Sequence, residues 1–176
     1  MMDTTPQEQP SATQMRPALR QALDLLAAFA VPTASGAEEN PPAPHRADVA
    51  IAPADLPAAI EALIDAHWGY LAAITGVDLG PEAGHIEVLY HLCAGADVLW
   101  LRLRVPRDDA RVPTVCGVIP SAAFYERELS EMLGITVVGT PDPRPLFLPE
   151  EWPQGVYPLR KDFEPGALKR VEESSE

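Results

Sequence analysis

Six prolines stand between positions 141 and 158, and no chain carrying them there runs through that stretch as a helix or a central strand. Each removes a backbone donor and fixes its own φ. Yet Leu146, Phe147, Leu148, Trp152, Val156, Tyr157 and Leu159 lie among them. An apolar stretch without regular structure is costly to leave in water. Proline stiffening lowers the entropy lost when such a stretch is laid on a surface. The segment therefore reads as an arm, with another protein as its expected seat and its own domain as the alternative.

Ahead of the arm, the apolar residues keep regular time. Ile86, Val88, Tyr90 and Leu92 alternate with Glu87, Leu89, His91 and Cys93. Leu99, Leu101, Leu103 and Val105 alternate with Trp100, Arg102 and Arg104. A period of two places each set on one face of a strand. Ala94, Gly95, Ala96 and Asp97 between them suit a hairpin turn. Asp48–Ala52 and Tyr70–Val77 read as further strands, the latter closed by the turn residues of 78–81.

Three segments carry helical spacing. Leu19, Leu23, Leu26, Ala27 and Ala30 form one stripe, which Pro32 is expected to stop. A second helix, capped by Asp55, carries Leu56, Ile60, Leu63, Ile64 and His67. A third, capped by Ser121, runs to Leu133 with Ala122, Tyr125, Leu129, Met132 and Leu133 as its stripe, and Gly134 is a natural stop. Residues 1–15 and 33–46 read as a polar start and a linker. The expected organisation is an N-terminal helix with linker over 1–46, a core over 47–135, the arm over 136–165 and an acidic tail over 166–176.

Charge excludes some function classes. With 26 acidic against 13 basic residues the formal net charge is -13, and no dense Lys/Arg run exists. Nucleic acid is therefore not an expected partner, and no polybasic membrane anchor is present. The surplus reads as solubility or as a match to a basic partner face. The start of the chain lacks the basic-then-apolar pattern of a signal peptide. Leu25–Val31 falls far short of the roughly 20 residues that span a bilayer. The chain is expected to be soluble and to reach a membrane only through partners.

The motif search returns little chemistry. Cys93 and Cys116 are too far apart for a CxxC unit and too few for an iron–sulfur cluster. They read as reduced, buried thiols. His45, His67, His85 and His91 are scattered, without metal-ligand spacing. No GxSxG elbow, GxGxxG or Walker loop occurs. The charged run Glu126, Arg127, Glu128 and Glu131 is the one group worth weighing as catalytic. Arg127 and Glu131 can pair at i,i+4. Two nearby carboxylates, Glu128 with Glu131 or Glu126 with Glu128, could act as acid and base. A charged helix face meeting solvent or a basic partner explains the same residues without chemistry.

The segment from Ala122 to Ile135, reading AAFYERELSEMLGI, resembles the signature of the 30 kDa subunit family of NADH dehydrogenase, complex I. So do Gly139-Thr140-Pro141-Asp142-Pro143-Arg144, then Leu148-Pro149-Glu150-Glu151-Trp152, and Tyr157-Pro158-Leu159-Arg160-Lys161-Asp162-Phe163. The resemblance is clear from Pro120 to Phe163 and looser back to Asp48 through Val88-Leu89-Tyr90-His91-Leu92. Phe124 stands where that family usually has Trp, and Glu131 where Asp is common. Thr140 replaces a frequent His and Pro145 a frequent Arg. These last two, with Trp152-Pro153 and Tyr157, look more like the branch found in membrane-bound [NiFe] hydrogenases and formate hydrogenlyase.

The resemblance implies an α+β fold, with a small, mostly antiparallel sheet, flanking helices and an extended C-terminal arm. It implies a subunit of an electron-transport complex with no active site of its own and no cofactor in this chain, the iron–sulfur clusters, quinone or nickel–iron site belonging to neighbours. Its implied partners are the large subunit (quinone-site or hydrogenase-large-like) and the small iron–sulfur subunit, on the cytoplasmic face of the inner membrane. Phe124, Glu126, Arg127, Glu128, Glu131, Gly134, Pro141, Asp142, Arg144, Leu148, Pro149, Trp152, Tyr157, Pro158, Leu159, Arg160, Lys161 and Asp162 are its implied assembly residues. A hydrogenase subunit is the alternative, and a stand-alone enzyme using Glu126 and Glu128 the remote one.

Overall fold

The alternation in the two strongest strands builds the centre of the molecule. In the computed structural model, which describes residues 15–31 and 44–166, β3 (His85–Ala94) and β4 (Asp97–Pro106) form a hairpin joined at Gly95 and Ala96. Gly95 has φ 61°, the left-handed conformation that so short a loop demands. Leu99, Leu101 and Leu103 are fully buried and Val105 is 1% exposed. Ile86, Val88, Tyr90 and Leu92 oppose them in register, all at 0%. The hairpin thus presents one apolar face to the core.

Two more strands complete a four-stranded mixed sheet in the order β1-β4-β3-β2. β1 (Arg46–Ala50) runs parallel to β4, and β2 (Tyr70–Asp78) antiparallel to β3 with a bulge between Leu71 and Ala73. The fold is α+β. α1 (Pro17–Leu26), α2 (Leu56–Asp65) and α3 (Ala122–Leu133) add their apolar faces to the same core as the sheet. The approach of α3 to β2 is close. A Cβ on Gly76 would meet terminal methyls of Leu133 and Leu129 at 2.1 and 2.9 Å, so a larger residue would have to displace those two side chains. The other sheet face carries charge. Arg102 bonds Asp48 on β1 and Glu87 on β3, and Arg104 bonds Glu87, a self-satisfied ladder across three strands.

The structure departs from the periodicity in definite places. α1 ends at Leu26, and Ala27 and Ala30 are exposed. The chain leaves the helix there because Ala30 bridges to Ile51 and the Val31 N–H donates to Ala50 O at 2.9 Å, covering the edge of β1. The buried stripe is Leu19, Ala22 and Leu26. Pro32, most of the expected linker, almost all of the polar start and the acidic end all fall outside the described residues. His67 is not on the apolar face of α2: it lies past the helix end, exposed, at φ 56°. Neither Asp55 nor Ser121 makes a side-chain cap hydrogen bond. Cys93 and Cys116 are free but only half-buried.

One small element escapes sequence patterning altogether. β5 (Arg111–Pro113) pairs in parallel with β6 (Thr136–Val138) on either side of α3. Three residues are too few to show a period. Val112 and Val137 nevertheless belong to the core, so the chain remains part of the body through residue 138.

Candidate interaction surface: a strap along the third helix

The proline-rich segment has a seat, and the seat is its own domain. From Thr140 to Phe163 the chain lies along α3 and is tied at both ends and in the middle. Arg127 donates to the carbonyls of Arg144 and Pro145 at 2.7 and 2.5 Å and stands 3.4 Å from Asp142. Glu131 accepts the backbone N–H groups of Leu146, Phe147 and Leu148 at 2.5, 2.9 and 3.4 Å. The expected Arg127–Glu131 pair is therefore replaced by two separate grips on the strap. The strap offers donors and acceptors that an i,i+4 pair in water cannot match.

The far end is tied to the stop of the helix. Gly134 has φ 70° and caps α3 by donating to the carbonyls of Leu129 and Ser130. Tyr157 packs directly on it, so that any Cβ at 134 would strike the ring. The Arg160 guanidinium lies 4.7 Å over the Tyr157 ring and donates to Leu133 O at 2.8 Å. Leu159 N–H donates to Met132 O at 3.0 Å. These bonds satisfy carbonyls that the helix end leaves open. Within the strap, Trp152 Nε1 donates to Val156 O at 2.8 Å, and Trp152 N–H to Pro149 O at 3.0 Å. Pro141 and Pro149 are exposed, while Leu148 and Pro158 are half-buried.

Asp162 closes the strap onto the sheet. It accepts from Arg107 at 2.5 Å, and Arg107 also grips buried Asp78 through two bonds of 3.0 Å. Lys161 contributes its backbone N–H, 2.8 Å from Asp78. The Arg107 hydrogen bond holds the Asp78 carboxyl down at about 2, against the upward push of burial and with help from the N–H groups of Lys161 and Gly80. A carboxyl lowered on folding adds stability that is whole above its ordinary value of 3.8 and is lost as pH falls through about 2. Asp78→Asn should thus lower the urea midpoint at pH 5, and its difference from the parent should shrink steadily towards pH 2. A difference that stayed constant over that range would show that Asp78 is not the acid-sensitive group.

Glu126 is the residue whose place was least foreseen. It is 0% exposed, on the buried side of α3 with Ala122, Leu129 and Leu133. It therefore does not belong to a solvated charged face. Its carboxylate accepts from Thr114 Oγ1 and Val115 N–H, both at 2.7 Å, and from the Cys116 thiol at 3.1 Å. Three donors from one turn offset the cost of burying a carboxylate that has no ion-pair partner among the described residues. Burial pushes the Cys116 thiol up, and burial with the nearby Glu126 charge pushes the Tyr90 hydroxyl far up. Both stay protonated, so Glu126 anchors the 114–116 turn beneath α3. The spacing 122, 126, 129, 133 is itself helical, and that is the signal that would have found it.

Glu126 and Glu128, the pair of the remote enzyme alternative, do not share a face, because Glu126 is buried and Glu128 is half-exposed on another side of the helix. Among the described residues, no group of three His, Cys, Asp or Glu side chains is placed to hold a metal ion. A cleft of about 270 Å³ runs between strap and helix beside Arg127, Glu131, Asp142 and Tyr157. Arg144 fills out its rim and holds the Asp142 carboxyl well below the usual carboxylate range. Asp78 and Arg107 were not singled out from sequence. What they could have shown is an acid in register with Ile74 and Gly76 on the core face of β2.

The arrangement is one of positioning: carboxylates and guanidiniums meet backbone groups and each other, and they shape a surface. Exposed apolar side chains stand on it, Phe124 at 61%, Phe147 at 63% and Leu159 at 57%. The chain is similar to known proteins. Residues 49–168 match the family described as respiratory-chain NADH dehydrogenase, 30 Kd subunit. Hydrogenase-4 component G of Escherichia coli is 38% identical over 110 residues, 61% of this chain and 20% of that protein. A subunit of the F(420)H(2) dehydrogenase of Methanosarcina mazei is 38% identical over 99 residues, 55% of this chain and 61% of that one. An NADH-quinone oxidoreductase subunit of Rhizobium rhizogenes is 38% identical over 102 residues, 56% and 50%. The matched stretch thus spans between a fifth and three fifths of these relatives' own length. Among solved structures, the trypsin-resistant fragment of Nqo5 has a TM-score of 0.56 at 25% identity, covering 71% of this chain and 98% of the fragment. A chain of an archaeal membrane-bound sulfane sulfur reductase shares the fold, with a TM-score of 0.66 at 24% identity over 89% and 88%.

Proposed function

Since the chain belongs to the family of the 30 kDa subunit of respiratory-chain NADH dehydrogenase, we propose that it is a non-catalytic, cofactor-free subunit of a complex I-type NADH-quinone oxidoreductase. In this reading it scaffolds the large, quinone-site subunit and the small iron–sulfur subunit in the water-exposed arm, on the cytoplasmic face of the membrane. It meets the membrane through those partners. Among the described residues no helix is long and apolar enough to cross one.

The observation that carries this reading is the strap. Its backbone is tied to α3 and the sheet, and it holds Phe147 and Leu159 out in water among exposed charged groups such as Arg144, Glu150 and Glu151. Such a surface binds. The residues implied in assembly lie mostly on α3 and the strap. The ion pairs of Arg127, Arg144 and Asp162 serve to shape that surface.

A second reading has its own support. Hydrogenase-4 component G and a membrane-bound hydrogenase subunit stand among the relatives at 38% and 39% identity, level with the NADH-quinone oxidoreductase subunits. Thr140 and Pro145 stand at positions where the hydrogenase branch resembles this chain more. In that case the large partner holds a nickel–iron site, and its own sequence carries the two CxxC pairs that such a site needs.

Purification of the tagged full-length chain from its source tests both readings. The large and small subunits should come with it, and the isolated chain should contain neither metal nor flavin by elemental analysis and absorption spectroscopy. Stoichiometric metal in the isolated chain, or its recovery without any redox subunit, would overturn the scaffold reading.

A further inference from the structure

Residues 144–148 are held with unusual economy. Five hydrogen bonds from two side chains of α3 fix this short run: Arg127 takes the carbonyls of Arg144 and Pro145, and Glu131 takes the next three N–H groups. Successive N–H groups turned to one side form a nest for an anion, and here the chain's own carboxylate fills it. Pro145 and Pro149 restrict φ on both sides. Leu146 and Leu148 are half-buried, while the Phe147 ring between them is 63% exposed. A charged grip on the backbone is thus used to hold a large apolar side chain out in water.

We propose that Phe147 is a preset anchor, held outward by Glu131 for insertion into an apolar pocket with a basic rim on the partner protein. The inference rests on the scaffold reading above and names the chemistry of its contact. Burying an exposed phenylalanine removes a large apolar area from water. Because the backbone is already ordered, little conformational entropy is lost on docking. Aromatic anchors of this kind dominate interface energetics.

Charge identifies the partner's rim. Glu128 is three residues before Glu131 on α3, and Phe124 seven before it, so all three share one side of the helix. Glu150 and Glu151 follow the anchor in the strap. No ion pair among the described residues involves Glu128, Glu150 or Glu151. Arg144 of the same run is taken up by Asp142, so the unpaired charges on this strap and helix face are the three carboxylates, on a chain of net charge -13. A basic surface complements them, and a second copy of this chain does not.

The test measures binding of the full-length chain to the purified large subunit of its own complex. Phe147→Ala should weaken binding by about 30-fold or more, with an unchanged melting temperature because the ring is exposed. Glu131→Ala should weaken it by about 10-fold, and the double variant should bind no worse than Phe147→Ala alone, since Glu131 acts through that ring. Glu150→Lys with Glu151→Lys should weaken binding and flatten its salt dependence. If the parent fails to bind the large subunit, the scaffold reading falls and this inference with it. If the parent binds and Phe147→Ala binds equally, only the anchor falls. Additive losses in the double variant would remove Glu131 from its positioning role. Self-association that depends on Phe147 would assign the ring to a second copy and overturn the proposal.

Discussion

Leu101→Asp should leave no soluble, folded protein. Leu101 sits at the middle of β4, fully buried, beside Val49 of β1 and Tyr90 of β3. Removing a buried leucine side chain costs about 2–5 kcal/mol even when alanine replaces it. Aspartate adds a carboxylate with no partner in that layer, for several kcal/mol more. Arg102 and Arg104 of the same strand point to the other face and are engaged with Asp48 and Glu87. Together the losses reach the roughly 5–15 kcal/mol that domains of this size possess. Leu101→Met conserves volume and should cost under about 1.5 kcal/mol. Soluble yield and thermal melting by circular dichroism compare the two. Normal yield of a cooperative Leu101→Asp protein would show that β4 does not face the core as described.

Removal of the strap should abolish partner binding while the body remains folded. The cut belongs after Gly139, because Val137 of β6 is 6% exposed and pairs with Val112 of β5. A cut after Ile135 would damage the core and confuse the result. Beyond Gly139 none of the described residues is a member of the hydrophobic core, so cooperative melting should survive. Its midpoint should fall, since Glu131 and Arg127 lose their backbone partners and Arg107 loses Asp162. Asp78 keeps Arg107, so no charge is stranded. Binding to the large subunit should drop below detection, because the aromatic anchors are gone. An unfolded truncated chain would make the strap part of the core. A folded one that still binds would move the docking surface to the Phe124 and Glu128 side of α3.

Much of the site was written locally. The stop of α3 at Gly134 follows from the end of its apolar stripe and one glycine. The irregular course of 140–163 follows from prolines, which act within one residue of themselves. Where that course lies was not legible, because proline spacing says that a segment is stiff and not what it touches. The expectation favoured another protein, and the structure lays the inner side of the strap on α3. In the proposed reading its outer side is left for a partner.

Charges show the same division. Glu126, Arg127 and Glu131 read as one polar run, yet they face the core, the strap's carbonyls and the strap's N–H groups respectively. Successive helical residues turn by about 100°, and the neighbours waiting in each direction come from distant parts of the chain. Asp78 and Arg107, 29 residues apart, meet only because β2, β3 and β4 assemble in that order.

By itself, the sequence determined the β3–β4 hairpin, the three helices and the stiffness of the C-terminal segment, since each depends on a period or a backbone restriction within a few residues, while the α+β class was implied by the family resemblance. Only the tertiary structure decided the parallel pairing of β5 with β6, the burial of Glu126 under three donors, the Asp78–Arg107–Asp162 tie and the outward aim of Phe147. These depend on pairings between residues far apart in the chain, and no local periodicity encodes them.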